Sequence, residues 1–148
     1  MPRKHSTPDF LDGIVSPDAY EKWLERKTAV HLKRDKNRDR PATRPLYKDA
    51  IHAAVLQSDG LDCYTGETLN WHLISTYRNE ASKAGRHGYK SGFALLPTVD
   101  HIDSGATESS FRICGWRTND AKNDLTPEQF ISLCVSVLTH AGFSVSKS

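Results

Sequence analysis

Asp100 and His101 are adjacent at the end of the run Thr98-Val99-Asp100-His101-Ile102, and Asn119-Asp120-Ala121-Lys122 follows after a turn-rich spacer. A carboxylate, an imidazole and a carboxamide in that order suit the hydrolysis of a phosphodiester. A hard divalent cation such as Mg2+ or Mn2+ takes oxygen ligands, which Asp100 and Asn119 supply, leaving room for phosphate oxygens and water. Such an ion polarises the phosphate and stabilises charge on the leaving oxygen. His101 suits the task of activating water, because a free imidazole titrates at about 6.5. Asn123 competes with Asn119 as a ligand, and the spacing to Lys122 favours Asn119. Asp103 and Asp124 lie close enough in sequence to assist a metal or to serve as turn and cap residues.

These groups need elements that bring them together. The apolar run Phe93-Ala94-Leu95-Leu96, bounded by Pro97, leads into the Asp-His segment, and Phe111-Arg112-Ile113-Cys114-Gly115-Trp116 is a second extended stretch. The loop Asp103-Ser104-Gly105-Ala106-Thr107 between them makes a hairpin the economical reading. Neighbouring side chains of a strand point to opposite faces, so Asp100 and His101 require a twist or bulge at the strand end to reach one phosphate. Thr118 is placed to cap a short helix that holds Asn119, Ala121 and Lys122. Upstream, Asp62-Cys63-Tyr64-Thr65-Gly66-Glu67 reads as a tight turn. Trp71 to Ile74 is apolar, Ser75 to Gly85 reads as a short helix, and Arg86 to Gly92 as a polar loop.

Helices flank this region. Ser16-Pro17-Asp18 marks a helix start with Ser16 as the cap, and Trp23 and Leu24 fall on its inward face. This helix is expected to fray between Lys33 and Arg40. A second helix is expected from about Pro45 to Ser58, burying Tyr47, Ile51, Ala54 and Val55 and ending at Asp59-Gly60. Thr126-Pro127-Glu128-Gln129 fits a capping box that opens a final helix. Its apolar residues (Phe130, Ile131, Cys134, Val137, Leu138, Ala141) suggest that its job is packing. The fold class expected is α+β, with an arm and basic helical extension over 1–60 and a second domain over 61–148.

Composition narrows the function classes. The 148 residues suffice for one compact domain with an extension. No apolar run approaches the roughly 20 residues that span a bilayer, and the first residues do not lead into an apolar stretch, so no membrane partner and a cytoplasmic location are expected. Three cysteines without a short pairing argue against a disulfide framework or a Cys-x-x-Cys zinc knuckle, and Cys134 reads as a buried small hydrophobe. The net charge of +2 says little, but half of the 20 lysines and arginines fall between Lys22 and Lys48. Such a cluster is the footprint of a phosphate-binding surface. Glu21, Glu25, Asp35 and Asp39 are interspersed, which also allows a helix laced with ion pairs. Beyond Val30 the positive charges outnumber the acids, and Arg34, Lys36, Arg38 and Arg40 are the nucleic-acid-binding candidates. A second polar-basic stretch, Tyr77 to Lys90, could add backbone contacts or stacking. His5, His31, His52, His72, His87 and His140 are read as surface or packing residues.

The stretch from Asp62 to about Leu125 resembles the HNH, or ββα-metal, endonucleases. Thr98-Val99-Asp100-His101-Ile102 is similar to that family's first block and Arg117-Thr118-Asn119-Asp120-Ala121-Lys122 to its last. Cys63-Tyr64-Thr65-Gly66-Glu67 is similar to the segment before the hairpin. The resemblance implies that residues 61–148 form a ββα-metal nuclease domain. In it, His101 is the general base, Asp100 and Asn119 ligate one Mg2+ or Mn2+, and Lys122 sits near the phosphate. DNA is implied as substrate over RNA, with 5′-phosphate and 3′-hydroxyl products. The chain departs from the family at Ser110, which stands where an asparagine usually holds the loop that orients the base. It also departs where zinc-stabilised members carry cysteine pairs, which here read Asp62 and Thr65, then Gly115 and Thr118, so no structural zinc is expected. The alternative is a nucleic-acid-binding module with an inactive HNH site; a helical adaptor that binds a protein is a weaker third reading. The residues leave the oligomeric state open.

Overall fold

The structure is a computed structural model and describes residues 5–36, 43–75, 92–102 and 110–148. The fold is α+β. Four α-helices and one two-stranded antiparallel sheet are present among the described residues. The helix expected over Ser75 to Gly85, the loops after Arg86 and after Asp103, and the stretch Tyr77 to Lys90 lie outside them, as do Arg38 and Arg40.

Helix α1 spans Pro17–Lys36 and starts where the cap signal places it, with the Ala19 amide donating to Ser16 Oγ at 3.1 Å. Trp23 and Leu24 are buried, as their spacing demands. Helix α2 spans Arg44–Ser58 with Thr43 as its cap, and Asp59 stops it in the left-handed region at φ 53°. Its buried face carries Tyr47, Ala50, Ile51, Ala54 and Val55. The two helices are tied by Lys48, which pairs with Glu21 and, at 2.6 Å, with Glu25, while Arg44 lies 2.8 Å from Glu25. Two of the clustered basic residues are thereby spent on acids of the neighbouring helix.

Strands β1 (Pro97–His101) and β2 (Phe111–Gly115) form the hairpin. Its register runs from Pro97↔Gly115 to His101↔Phe111. Val99, Phe111 and Ile113 are buried in the same core as Tyr20, Trp23, Tyr47, Ile51, Trp71 and Ile74. That core runs through the sequence position expected to divide the chain at 60 and 61, so the N-terminal helices serve as the packing layer of the hairpin. Helix α3 (Trp116–Lys122) follows β2 directly, with Gly115 at its N-cap position. This start replaces the expected cap by Thr118, whose hydroxyl is used elsewhere.

Helix α4 spans Pro127–His140 and has the expected capping box, with Thr126 and Gln129 bonding each other's backbone amides. Its expected packing role is overturned. Ile131 is 56% exposed and Val137 59%, and Cys134, expected to be buried, is exposed. The reason is that α1 and α2 already cover one face of the hairpin, leaving α4 attached near its start through buried Pro127 and through Phe130, edge-on to Tyr64 at 5.6 Å. No helix among the described residues is long and apolar enough to cross a membrane.

Candidate active site

Pairing along the hairpin stays one-to-one to its last step, His101↔Phe111. Of the twist or bulge expected where β1 ends, no bulge is present among the described residues, and alternation sends Asp100 and His101 to opposite faces. Asp100, 5% exposed, faces α3 and the turn after Asp62. Lys122 Nζ lies 3.2 Å from its Oδ1, and the Tyr64 hydroxyl donates to Oδ2 at 2.7 Å. Lys122 is itself 2% exposed. A buried ion pair is costly to desolvate, and it persists here because the second carboxylate oxygen also has a donor. Burial, together with the bond to Asp100, pushes the Tyr64 phenol well above its usual range, so it remains a donor.

Asn119 occupies the same helix as Lys122, three residues earlier. Residues three apart share a helix face, which sets Asn119 one turn from the lysine that holds Asp100. Asn119 is half-buried. Asn123 is exposed beyond the helix end with φ 53°, so the competing ligand candidate lies off the helical face. No three His, Cys, Asp or Glu side chains among the described residues cluster so as to hold an ion. The oxygen donors offered here are the Asp100 carboxylate and, on the same helix as Lys122, the Asn119 amide. The donors present fit a hard cation in type, on the condition that Lys122 shares Asp100 or gives way.

His101 faces α1 and α2. Its ring stacks on Phe111 with centroids 4.3 Å apart and planes 16° from parallel. Its Nδ1 lies 3.3 Å from Asp35 Oδ2, an oxygen that also accepts from the Tyr47 hydroxyl. His31 stands edge-on at 5.7 Å, and burial, then Arg34, His101 and Lys27, push its imidazole down to about 3, with Asp35 opposing. Ser110 is fully buried just past the last hairpin pair, and its carbonyl accepts from the Ile102 amide at 2.8 Å.

Four positions bind the site to the rest of the fold. Asp62, 1% exposed, accepts at Oδ1 from the Tyr64 and Thr65 amides and at Oδ2 from the Gly115 amide and the Thr118 hydroxyl, at 2.8 to 3.1 Å. Positions 62, 65, 115 and 118 are the ones read above as the place of zinc-binding cysteine pairs, and the carboxylate of the first binds the other three. Gly115 is required there, because a Cβ would come within 2.8 Å of the Ala94 carbonyl oxygen.

Arg34 is exposed on α1, and Lys36 ends that helix. A cavity of about 670 Å³ lies away from Asp100 and His101, lined among others by Lys22, Trp23, Arg26, Lys27, Leu96 and Thr98. Lys27, whose Nζ is 3.4 Å from Thr98 Oγ1, is pushed down to about 8 by burial and by Arg26. Sequence reasoning missed Asp35, Tyr47 and Tyr64 as neighbours of the site and Asp62 as its anchor. The Asp62 turn was visible in sequence, whereas the contacts of the other three depend on which helix lies across the hairpin.

The chain matches no protein-family model. No curated protein and no solved structure matches it either.

Proposed function

We propose that the chain is a metal-dependent endonuclease of the HNH type that hydrolyses phosphodiester bonds in DNA. The observation that carries this reading is the strand–strand–helix arrangement in which buried Asp100 meets Lys122, one helical turn from Asn119. The convergence of positions 65, 115 and 118 on the Asp62 carboxylate supports it, because these four positions are the ones to be bridged in the resembling family.

In this reading Asp100 and Asn119 hold one Mg2+ or Mn2+ ion, which when bound supplies charge stabilisation at the scissile phosphate. Lys122 neutralises Asp100 and lies beside the phosphate. Asp100 and His101 end β1 on opposite faces, so cleavage requires the strand end to twist until both side chains reach one phosphate. His101 takes a proton from water, the resulting hydroxide forms the new P–O bond, and the P–O3′ bond breaks; the departing oxygen takes a proton from solvent, leaving 5′-phosphate and 3′-hydroxyl ends. Arg34 and the other exposed basic residues of α1 contact the flanking backbone, a contribution that weakens steeply with salt.

The regular register that turns His101 away from Asp100 favours a second reading, a nucleic-acid-binding module without cleavage. Plasmid nicking with and without Mg2+ separates the two. Wild type is expected to nick only with metal, and His101→Ala to lose at least about a hundredfold in rate with little change in DNA affinity. Binding without nicking by the wild type assigns the second reading.

A further inference from the structure

We infer that Asp35, held by Tyr47, is the positioning residue of His101, so that α1 completes the reactive centre; this rests on the nuclease reading above. The carboxylate is 1% exposed, and its Oδ2 lies 3.3 Å from Nδ1. Phe111 stacks on one face of the ring, and Tyr47 and His31 meet it edge-on at 5.9 and 5.7 Å. The ring is thus confined by packing, and among the described residues the Asp35 carboxylate is an acceptor beside its Nδ1.

A neutral imidazole carries its proton on one nitrogen only. A carboxylate beside Nδ1 favours the proton there and leaves the lone pair on Nε2, the nitrogen that must take a proton from water. Asp35 thereby does from a helix what a longer side chain at position 110 would do from the hairpin loop, where this chain has serine. The two buried aspartates contrast in use. Asp62 has both oxygens filled by four donors, whereas Asp35 Oδ1 has no hydrogen-bond partner among the described residues. A structural hub is saturated; an under-satisfied buried carboxylate beside a histidine calls for a functional explanation.

The test compares wild type with Asp35→Asn in Mg2+-dependent plasmid nicking, and reads the His101 ring nitrogens by 15N NMR, with the signal assigned through its loss in His101→Ala. Asp35→Asn is expected to lower kcat by about tenfold to a hundredfold, the usual cost of removing a group that orients a catalytic one, with KM for DNA unchanged. The wild-type ring is expected to be the Nδ1–H tautomer and the variant to shift toward Nε2–H. Wild-type kcat in a folded Asp35→Asn protein, or an Nε2–H ring in the wild type, overturns the positioning role while leaving the nuclease reading intact. A wild type that does not nick with Mg2+ or Mn2+ overturns both. Should Asp35→Asn not fold, Tyr47→Phe, which keeps the ring packing, is expected to lower kcat severalfold at constant KM, and an unchanged kcat overturns the inference.

Discussion

Three buried side chains around the end of β1 are set by their neighbours more than by their own type. Asp100 is kept between Lys122 and Tyr64, His101 between Phe111 and Asp35, and His31 between α1 and the hairpin. His31 has a consequence for stability. Its folded imidazole titrates at about 3, far below the ordinary value, with Arg34, His101, Lys27 and Asp35 facing it. The unfolded chain then binds a proton that the folded chain refuses, so stability is complete above about pH 6.5 and is lost as the pH falls toward 3. His31→Phe, which keeps the aromatic contacts, is expected to flatten the dependence of unfolding free energy on pH in that interval by up to about 1.4 kcal/mol per pH unit. Urea titrations at several pH values check this. At this scale the sequence was legible where candidates are marked by type and spacing: Asp100 and Lys122, 22 residues apart, do meet. It was illegible for Asp35, Tyr47 and Tyr64, because Tyr64 meets Asp100 across 36 residues of chain and nothing in its local pattern marks the meeting.

Helix boundaries followed their caps closely, since Ser16, Thr43 and the Thr126–Gln129 box act within one turn. The errors came from long-range choices. Thr118 was free to cap α3 as a sequence, but Asp62 captures its hydroxyl and the helix begins earlier at Trp116. Asp62→Ala should leave the buried Gly115 amide and Thr118 hydroxyl without acceptors, at about 1–3 kcal/mol each. Urea unfolding is expected to show a loss of about 3 kcal/mol or more, and a loss below about 1 kcal/mol would contradict the hub role. For α4 the apolar content pointed inward, yet the room beneath the hairpin is taken by α1 and α2. Ile131→Ser and Val137→Ser are therefore expected to change stability by no more than about 0.5 kcal/mol, against about 2–5 kcal/mol for Ile51→Ala in the core. Equal losses in all three would place α4 in the core after all.

Across the whole molecule, one hydrophobic core joins the N-terminal helices to the hairpin, and the basic segment divides between internal and external roles. Lys48 and Arg44 pair with acids of α1, Lys27 turns toward Thr98, and Arg34 stays on the surface. The N-terminal helices are thus part of the scaffold of the site as well as a source of positive charge. In the proposed site Asp100 and Asn119, from different elements, share one divalent ion. Mn2+ binding followed by electron paramagnetic resonance tests it on the free protein. Wild type is expected to bind one ion, and Asp100→Ala and Asn119→Ala each to weaken binding at least about tenfold. Equal Mn2+ affinity in all three proteins would contradict the account.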